Sequence, residues 1–370
     1  MRQRRGGILL SCLAASLAIG LVAGPPAHAR PSAKKGIWGP VTVDGRSQFP
    51  TYRELGVGVF STRLPWDSVA QVKPARPRDP RDPAYQWPAE LDQAVKLATS
   101  AGIRVSVDIR NAPGWANGGQ PPNWVPRRVA DWRNFVTAAV RRYPGVDYWV
   151  IWAEPTRQAN FMPLVFQDAP TVPLNARQRR PVQFYARLLD AAYGAVHRRR
   201  PHAKVVGGNS FVTGDVSPLN WIRSLKLPSG RVPRMDLYGH HPFTARRPDL
   251  SRPSIRPGLA DYSDLDTLTQ WIDYHLGRDP RGRPLKLYLG EFSVPSDHQS
   301  RVFGPWVSRA TQASWIRSAL RIARRWDRIE TMVWLGLYDE APAADGLEVN
   351  WGLLDWRGRR KPAFRAYKNG

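Results

Sequence analysis

Val146-Asp147-Tyr148-Trp149-Val150-Ile151-Trp152 is a run of β-branched and aromatic residues that stops at Ala153-Glu154-Pro155. A second run, Leu285–Leu289, stops in the same way at Gly290-Glu291-Phe292-Ser293. Short apolar runs of this composition, bounded by Gly and Pro, read as buried strands. Each therefore delivers one carboxylate where its apolar run ends. Two strand ends on one open edge of a sheet can face a single substrate.

Outward from these two runs, strands are expected near Gly36–Val41, Val57–Leu64, Ile103–Ile109, Val146–Trp152, Lys204–Gly208, Met235–Gly239, Leu285–Leu289 and Ile329–Leu335. Amphipathic helices separate them. Trp132, Phe135, Val136, Ala139, Val140 and Tyr143 keep helical spacing, as do Ile316, Ala319, Leu320, Ala323 and Trp326, so each helix has one apolar face to bury. Ser217-Pro218 supplies a cap with a proline at the first helical position, and Ser263 with Asp266 forms a capping-box-like pair. Alternating β and α elements imply an α/β protein with a parallel sheet, and eight units imply a single (β/α)8 TIM barrel over 30–370 rather than an open doubly wound sheet. Helix-to-strand connections are short, as at Ser100-Ala101-Gly102, Pro144-Gly145 and Trp326-Asp327-Arg328, whereas Lys73–Trp87, Pro155–Arg180, Pro242–Tyr262 and Phe292–Arg309 are long. Long loops at the carboxyl ends of barrel strands mark the functional face.

Residues 1–29 read as a signal peptide. Arg2, Arg4 and Arg5 precede an apolar run from Ile8 to Ala23, and Ala27-His28-Ala29 is an A-x-A cleavage site. An uncleaved anchor is the competing reading, since the run approaches the ~17 residues of a membrane span, but Gly24-Pro25-Pro26 and the small residues favour cleavage. Arg4-Arg5 gives only a weak hint of twin-arginine export. Cys12, the one cysteine, lies inside this segment. A mature chain from Arg30 onward has no thiol for disulfides or thiolate metal sites and depends on a large core. The net charge of +25 favours anionic surroundings. Arginine outnumbers lysine 46 to 9 and is dispersed along the chain, as coding bias alone would leave it.

A pair of strand-end glutamates suits retaining glycoside hydrolysis. That chemistry needs one protonated carboxyl to donate to the departing oxygen and one ionised carboxylate to attack the anomeric carbon, about 5–5.5 Å apart. The chain here resembles the large clan of retaining (β/α)8 glycoside hydrolases, clan A, and its cellulase-like families. Trp152-Ala153-Glu154-Pro155 is similar to the clan's W-N-E-P acid/base motif, and Leu289-Gly290-Glu291-Phe292 to its nucleophile motif. Asn111-Ala112-Pro113-Gly114-Trp115-Ala116, His240-His241-Pro242-Phe243 and Trp334 fall where the clan places sugar-contacting residues. Trp351-Gly352-Leu353-Leu354 through Lys361-Pro362-Ala363-Phe364 resembles its closing segment. The resemblance implies Glu154 as acid/base and Glu291 as nucleophile.

Two positions depart from the clan's pattern. Ala153 stands where an asparagine contacts the sugar 2-hydroxyl, and Phe243 where a tyrosine often bonds the nucleophile. Arg63 resembles a strand-two arginine that orients the nucleophile, while Asn209 after strand five and His241 after strand six are candidate donors or acceptors at the mouth. Among 16 tryptophans, Trp132, Trp221, Trp271, Trp315 and Trp326 read as packing. Trp115, Trp152 and Trp334 are expected to stack on sugar faces, with Trp66 and Trp124 behind them. Asp339-Glu340 reads as a solvated loop pair, or alternatively as a contact for a distal sugar or an ion.

Other chemistries find little support. His240-His241 cannot converge on one metal from an extended strand, no H-E-x-x-H, G-x-S-x-G, G-x-G-x-x-G or Walker pattern occurs, and no nucleic-acid motif accompanies the charge. The expectation is an exported retaining glycosidase for β-linked O-glycosides of a polysaccharide or glycoconjugate, with no metal and no cofactor. Its partners would be carbohydrate and, from the charge, anionic envelope polymers, with no nucleic acid and no stable membrane insertion after cleavage. A non-hydrolytic glycan-binding barrel and a transglycosidase are the alternatives.

Overall fold

In the computed structural model, which describes residues 31–370, eight parallel strands close into a barrel. They are β1 (Lys35–Trp38), β2 (Val59–Pro65), β3 (Arg104–Arg110), β4 (Val146–Ile151), β5 (Lys204–Phe211), β6 (Leu237–His241), β7 (Lys286–Phe292) and β8 (Ile329–Leu335). Closure is made by β1, which pairs with β8 through Lys35 and Met332 and with β2 through Gly36 and Val59. The main helices follow the strands one for one: α1 (Phe49–Glu54), α2 (Ala89–Ser100), α3 (Val129–Arg142), α4 (Ala176–His197), α5 (Pro218–Ser224), α6 (Leu265–His275), α7 (Arg309–Arg325) and α8 (Pro362–Asn369). The expected single (β/α)8 barrel is the observed fold. The signal segment 1–29 and Cys12 lie outside the described residues. Among the described residues, no helix is long and apolar enough to cross a membrane.

Strand alternation divides the core into two layers. Val59, Tyr148, Val150, Val206, Leu237, Tyr288 and Val333 fill the barrel interior, while Trp149, Ile151, Leu287, Leu289 and Met332 pack outward against the helices. Inside the barrel the Tyr288 hydroxyl donates to Ser106 Oγ at 2.7 Å and lies 3.1 Å from Ser61 Oγ, so this buried polar group is satisfied. Ser217 caps α5 as expected, accepting the Asn220 N–H. The Ser263–Asp266 box is not formed. Asp261 and Asp264 make the reciprocal box two residues earlier, on the 3-10 turn Tyr262–Asp264, and the Ser263 hydroxyl accepts the Asp249 N–H.

Three strands run past their apolar segments, because ladder hydrogen bonds continue whatever the side chains are. Asn209 lies within β5 and His241 ends β6, rather than following them, and Glu291 is the penultimate residue of β7. At the C-terminal ends of β3, β4 and β5 the chain enters left-handed conformations at Asn111, Trp152, Glu154 and Asn209, with φ between 46° and 65°. Such strain in non-glycine residues persists only where surrounding contacts hold it, and it concentrates at functional sites.

Candidate active site

Glu154 reaches the barrel mouth through an irregular three-residue step. β4 ends at Ile151, Trp152 and Glu154 are left-handed at φ 60° and 48°, and the Ala153 N–H between them donates to Asp108 Oδ1 at 3.2 Å. The carboxylate that results is 7% exposed and fully engaged. His241 Nδ1 donates to Oε1 at 3.0 Å, and Arg157 Nη1 and Asn160 Nδ2 each donate to Oε2 at 2.8 Å. Donation by His241 places the ring proton on Nδ1.

Glu291 approaches from β7. Its Oε2 lies 3.7 Å from the same His241 nitrogen, and among the described residues no hydrogen bond reaches its carboxylate. One carboxylate oxygen from each glutamate and one imidazole nitrogen all lie within 4.8 Å of one another. Gly290 permits this approach, because a Cβ there would sit 2.8 Å from His241 Nε2. Arg63 and Arg110 stand nearby. Arg110 Nε bonds the buried Asp108 at 2.7 Å, and Arg63 Nε lies 3.7 Å from the same carboxylate.

These contacts set the protonation of the pair. Burial pushes the Glu154 carboxyl up, but the His241 bond and charge and the Arg157 guanidinium outweigh it and hold the group well below the usual carboxylate range. Burial also pushes Glu291 up, the charge on Glu154 adds to that, and the opposing fields of His241, Arg63 and Arg110 do not cancel them. Burial alone would lower His241, yet the two carboxylates raise it. Glu154 is thus the member held ionised, and a single proton shared by the pair favours Glu291. That is the reverse of the order in which an acid at Glu154 and a nucleophile at Glu291 would begin.

Of the sequence-predicted contact residues, the mouth gathers His241 and Arg63. Trp152 and Trp334 are fully buried and cannot stack on a ligand. Alternation would turn Trp152 inward with Tyr148 and Val150, but its left-handed backbone sends it to the outer layer, where it packs 5.7 Å from Trp132 and donates to the Asn160 carbonyl. Trp334 follows the inward Val333, so it too faces outward, against Phe292. Asn209 is 1% exposed, its amide tied to the Ile151 carbonyl at 2.8 Å. Trp115 is half-buried, donating to the Ala70 carbonyl and packed edge-on against the buried Trp66, while Trp124 is half-buried. Asp339 is no solvated loop residue. It is buried against Lys361.

The half-exposed aromatics are others. Trp38 at the end of β1 donates to the Gly290 carbonyl at 2.9 Å and carries the Arg63 guanidinium over its ring. Phe211, Phe303 and Trp351 are also half-exposed, and with the buried Phe243 they form the row Phe211–Phe243–Phe303–Trp351 at centroid distances of 5.8, 5.2 and 6.0 Å. A cavity of about 720 Å³ opens at the ends of β1 and β8 between Trp38, Tyr338, Trp351 and Trp356, a size suited to small ligands. Arg157, Asn160, Asp108 and Arg110 were not singled out from the sequence. The signal for the first two was their position three and six residues after Glu154.

Glu154, His241 and Glu291 also have the donor types of a metal site. Arg157 already occupies Glu154 Oε2, and the guanidiniums of Arg63 and Arg110 add their fields at Glu291. Cations fixed this close oppose a further positive charge, so the cluster reads as a carboxyl pair.

The sequence matches no protein-family model and no curated protein. Solved structures are similar in fold. A family 39 glycoside hydrolase from the gut symbiont Bacteroides cellulosilyticus is 19% identical over 92% of this chain and 63% of its own, with TM-score 0.66. A family 39 β-xylosidase from Caulobacter crescentus is 18% identical, covering 92% and 72%, with TM-score 0.58. A family 39 enzyme from Xanthomonas axonopodis pv. citri is 20% identical, covering 92% and 66%, with TM-score 0.57. The chain thus spans about 63% of the length of the first of these. At such identities the likeness is one of fold, and the shared fold is the barrel with its open C-terminal face.

Proposed function

We propose that this chain is an exported retaining glycoside hydrolase that cleaves β-linked O-glycosides of a polysaccharide or glycoconjugate by double displacement. One observation carries the reading: the Glu154 and Glu291 carboxylates approach within 4.8 Å across the barrel mouth. Retaining enzymes need about 5–5.5 Å, whereas inverting enzymes need about 6.5–9.5 Å for an intervening water. In the first step the Glu291 carboxylate attacks the anomeric carbon as Glu154 protonates the leaving oxygen. In the second, Glu154 takes a proton from water, which hydrolyses the glycosyl ester. His241 links the two groups, and Trp38 with Trp351 offers faces for sugar rings.

The resting protonation has a kinetic consequence. When one proton is shared by the pair, only the form with Glu154 protonated and Glu291 ionised reacts, and that form is the minor one here. Arg157→Leu removes a charge-assisted bond from ionised Glu154 and raises its affinity for the proton. Each unit gained enlarges the reactive fraction about tenfold, so kcat/KM at the optimum should rise by about that factor. The acid limb of the pH profile, which follows the lower apparent pKa of the pair, should move to higher pH. A fall in the optimum with an unmoved acid limb would mean that Arg157 serves substrate binding instead.

The assignment is tested by screening β-linked polysaccharides and aryl glycosides, then following the anomeric configuration of the first product by NMR. Incubation with a 2-fluoro sugar carrying a good leaving group should give a stable ester on Glu291, found by peptide mapping. Inversion, or a label on another residue, contradicts the proposal. A second reading, a glycan-binding barrel without hydrolysis, draws on the reversed protonation and on Ala153 and Phe243. Glycan binding that persists in Glu154→Gln/Glu291→Gln, with no turnover by the native protein, would establish it.

A further inference from the structure

A cleft of about 840 Å³ lies away from the barrel mouth, between α7 and α8 on the outer wall. Its lining is dominated by exposed cations. Arg317, Arg321 and Arg324 recur along one face of α7, Arg360 lies just before α8, and Arg365 and Lys368 lie along it. Helical rise puts the three α7 guanidiniums over about 10 Å, one every ~5 Å, a spacing of the order of one sugar ring. Arg360 and Lys368 share a single carboxylate, Glu54, at 2.7 and 3.1 Å. Among the described residues, the side chains of Arg317, Arg321, Arg324 and Arg365 have no hydrogen-bond or ion-pair partner. Other surface arginines, such as Arg76, Arg234, Arg283 and Arg359, are spent on nearby aspartates. Charge left unpaired inside a concavity focuses potential and collects anions.

We infer that the α7–α8 cleft is a binding site for a segment of a linear anionic polysaccharide, one bearing a carboxylate or phosphate on each repeat. The surroundings select this class. Single-stranded nucleic acid needs aromatic platforms for its bases, and the one aromatic lining the cleft, Phe364, is buried beneath the Arg360 guanidinium at 4.3 Å. A membrane surface is engaged by apolar anchors beside the cations, and none of the exposed large apolar side chains, including Phe166, Trp306 and Trp356, lines this cleft. The site is separate from the carboxyl pair and stands whether or not that pair hydrolyses glycosides.

The test measures binding of the full chain to polygalacturonate, long-chain polyphosphate, a neutral dextran and single-stranded DNA across a salt series. The native protein is compared with Arg317→Gln/Arg321→Gln/Arg324→Gln/Arg365→Gln and with Arg128→Gln/Arg133→Gln/Arg199→Gln/Arg200→Gln, which removes equal charge elsewhere. The cleft variant should bind at least one of the two anionic polymers about tenfold or more weakly, with a flatter salt dependence, since fewer counterions are released. The control should change by no more than about twofold. Which polymer responds separates carboxylate from phosphate recognition. Lysine at the four cleft positions should restore most of the affinity and guards against a folding artefact. Equal losses in both variants, or DNA binding tighter than either polymer with its loss confined to the cleft variant, would overturn the assignment.

Discussion

Glu154→Ala should lower kcat/KM by about 10²–10⁴-fold on a glycoside whose leaving group needs protonation, and far less on an activated aryl glycoside that departs without it. The asymmetry arises because the variant keeps Glu291 and loses only the proton donor. It also leaves Glu291 as the one titrating member of the pair, so the acid limb should rise from the pair's lower apparent pKa, set by the strongly lowered Glu154, to that of Glu291 alone, and the alkaline limb that reports the acid's proton should vanish. Azide should enter the space once held by the carboxylate, restore turnover of the activated substrate and yield a glycosyl azide of retained configuration. Glu154→Gln keeps the volume and part of the hydrogen bonding and should not be rescued in this way. A uniform loss across leaving groups, with no azide product, would place Glu154 outside the acid/base role.

That experiment rests on residues whose placement the sequence makes plain. Hydrophobic runs of strand length, separated by helical periodicity and ending in polar or small residues, name all eight barrel strands because burial on both faces leaves no other composition. The glutamates are legible for the same reason, as charges at the ends of such runs. What periodicity does not carry is the direction of a side chain past the last regular residue. Trp152 looks like a stacking platform until its positive φ is known, and Trp334 is read correctly only once Val333 is fixed as inward.

Partners in the site are less legible still, because contacts across the mouth join distant parts of the chain. Arg110 and Asp108 belong to β3, Trp38 to β1 and His241 to β6, and nothing in the local pattern of any of them announces the others. Arg157 lies close to Glu154 in sequence, yet its effect on the proton depends on a loop conformation. In a chain with 46 arginines, composition hides the few that matter.

The closing segment shows how far a loop contact can matter. Lys361 and Asp339 are 0% and 2% exposed at the side chain, joined at 2.8 and 3.0 Å, and Lys361 also donates to the Asn350 carbonyl at 3.2 Å. The pair ties the residue before α8 to the start of the loop that follows β8. It thereby fixes Trp351, whose carbonyl accepts the Trp334 indole N–H at 3.0 Å. Burial lowers Lys361 and raises Asp339, so each group leans toward neutrality and is held charged chiefly by the other. Lys361→Met should therefore cost about 3–5 kcal/mol, because it strands a carboxylate with little beyond the Gly352 N–H to solvate it. The cost should appear as a lower urea midpoint at unchanged slope. Lys361→Met/Asp339→Leu should recover most of the loss, since burying two apolar groups replaces two desolvated charges. If the single variant lost less than about 1 kcal/mol, water would be reaching Asp339, and the tie that sets Trp351 at the mouth would lie in the backbone bonds of the loop.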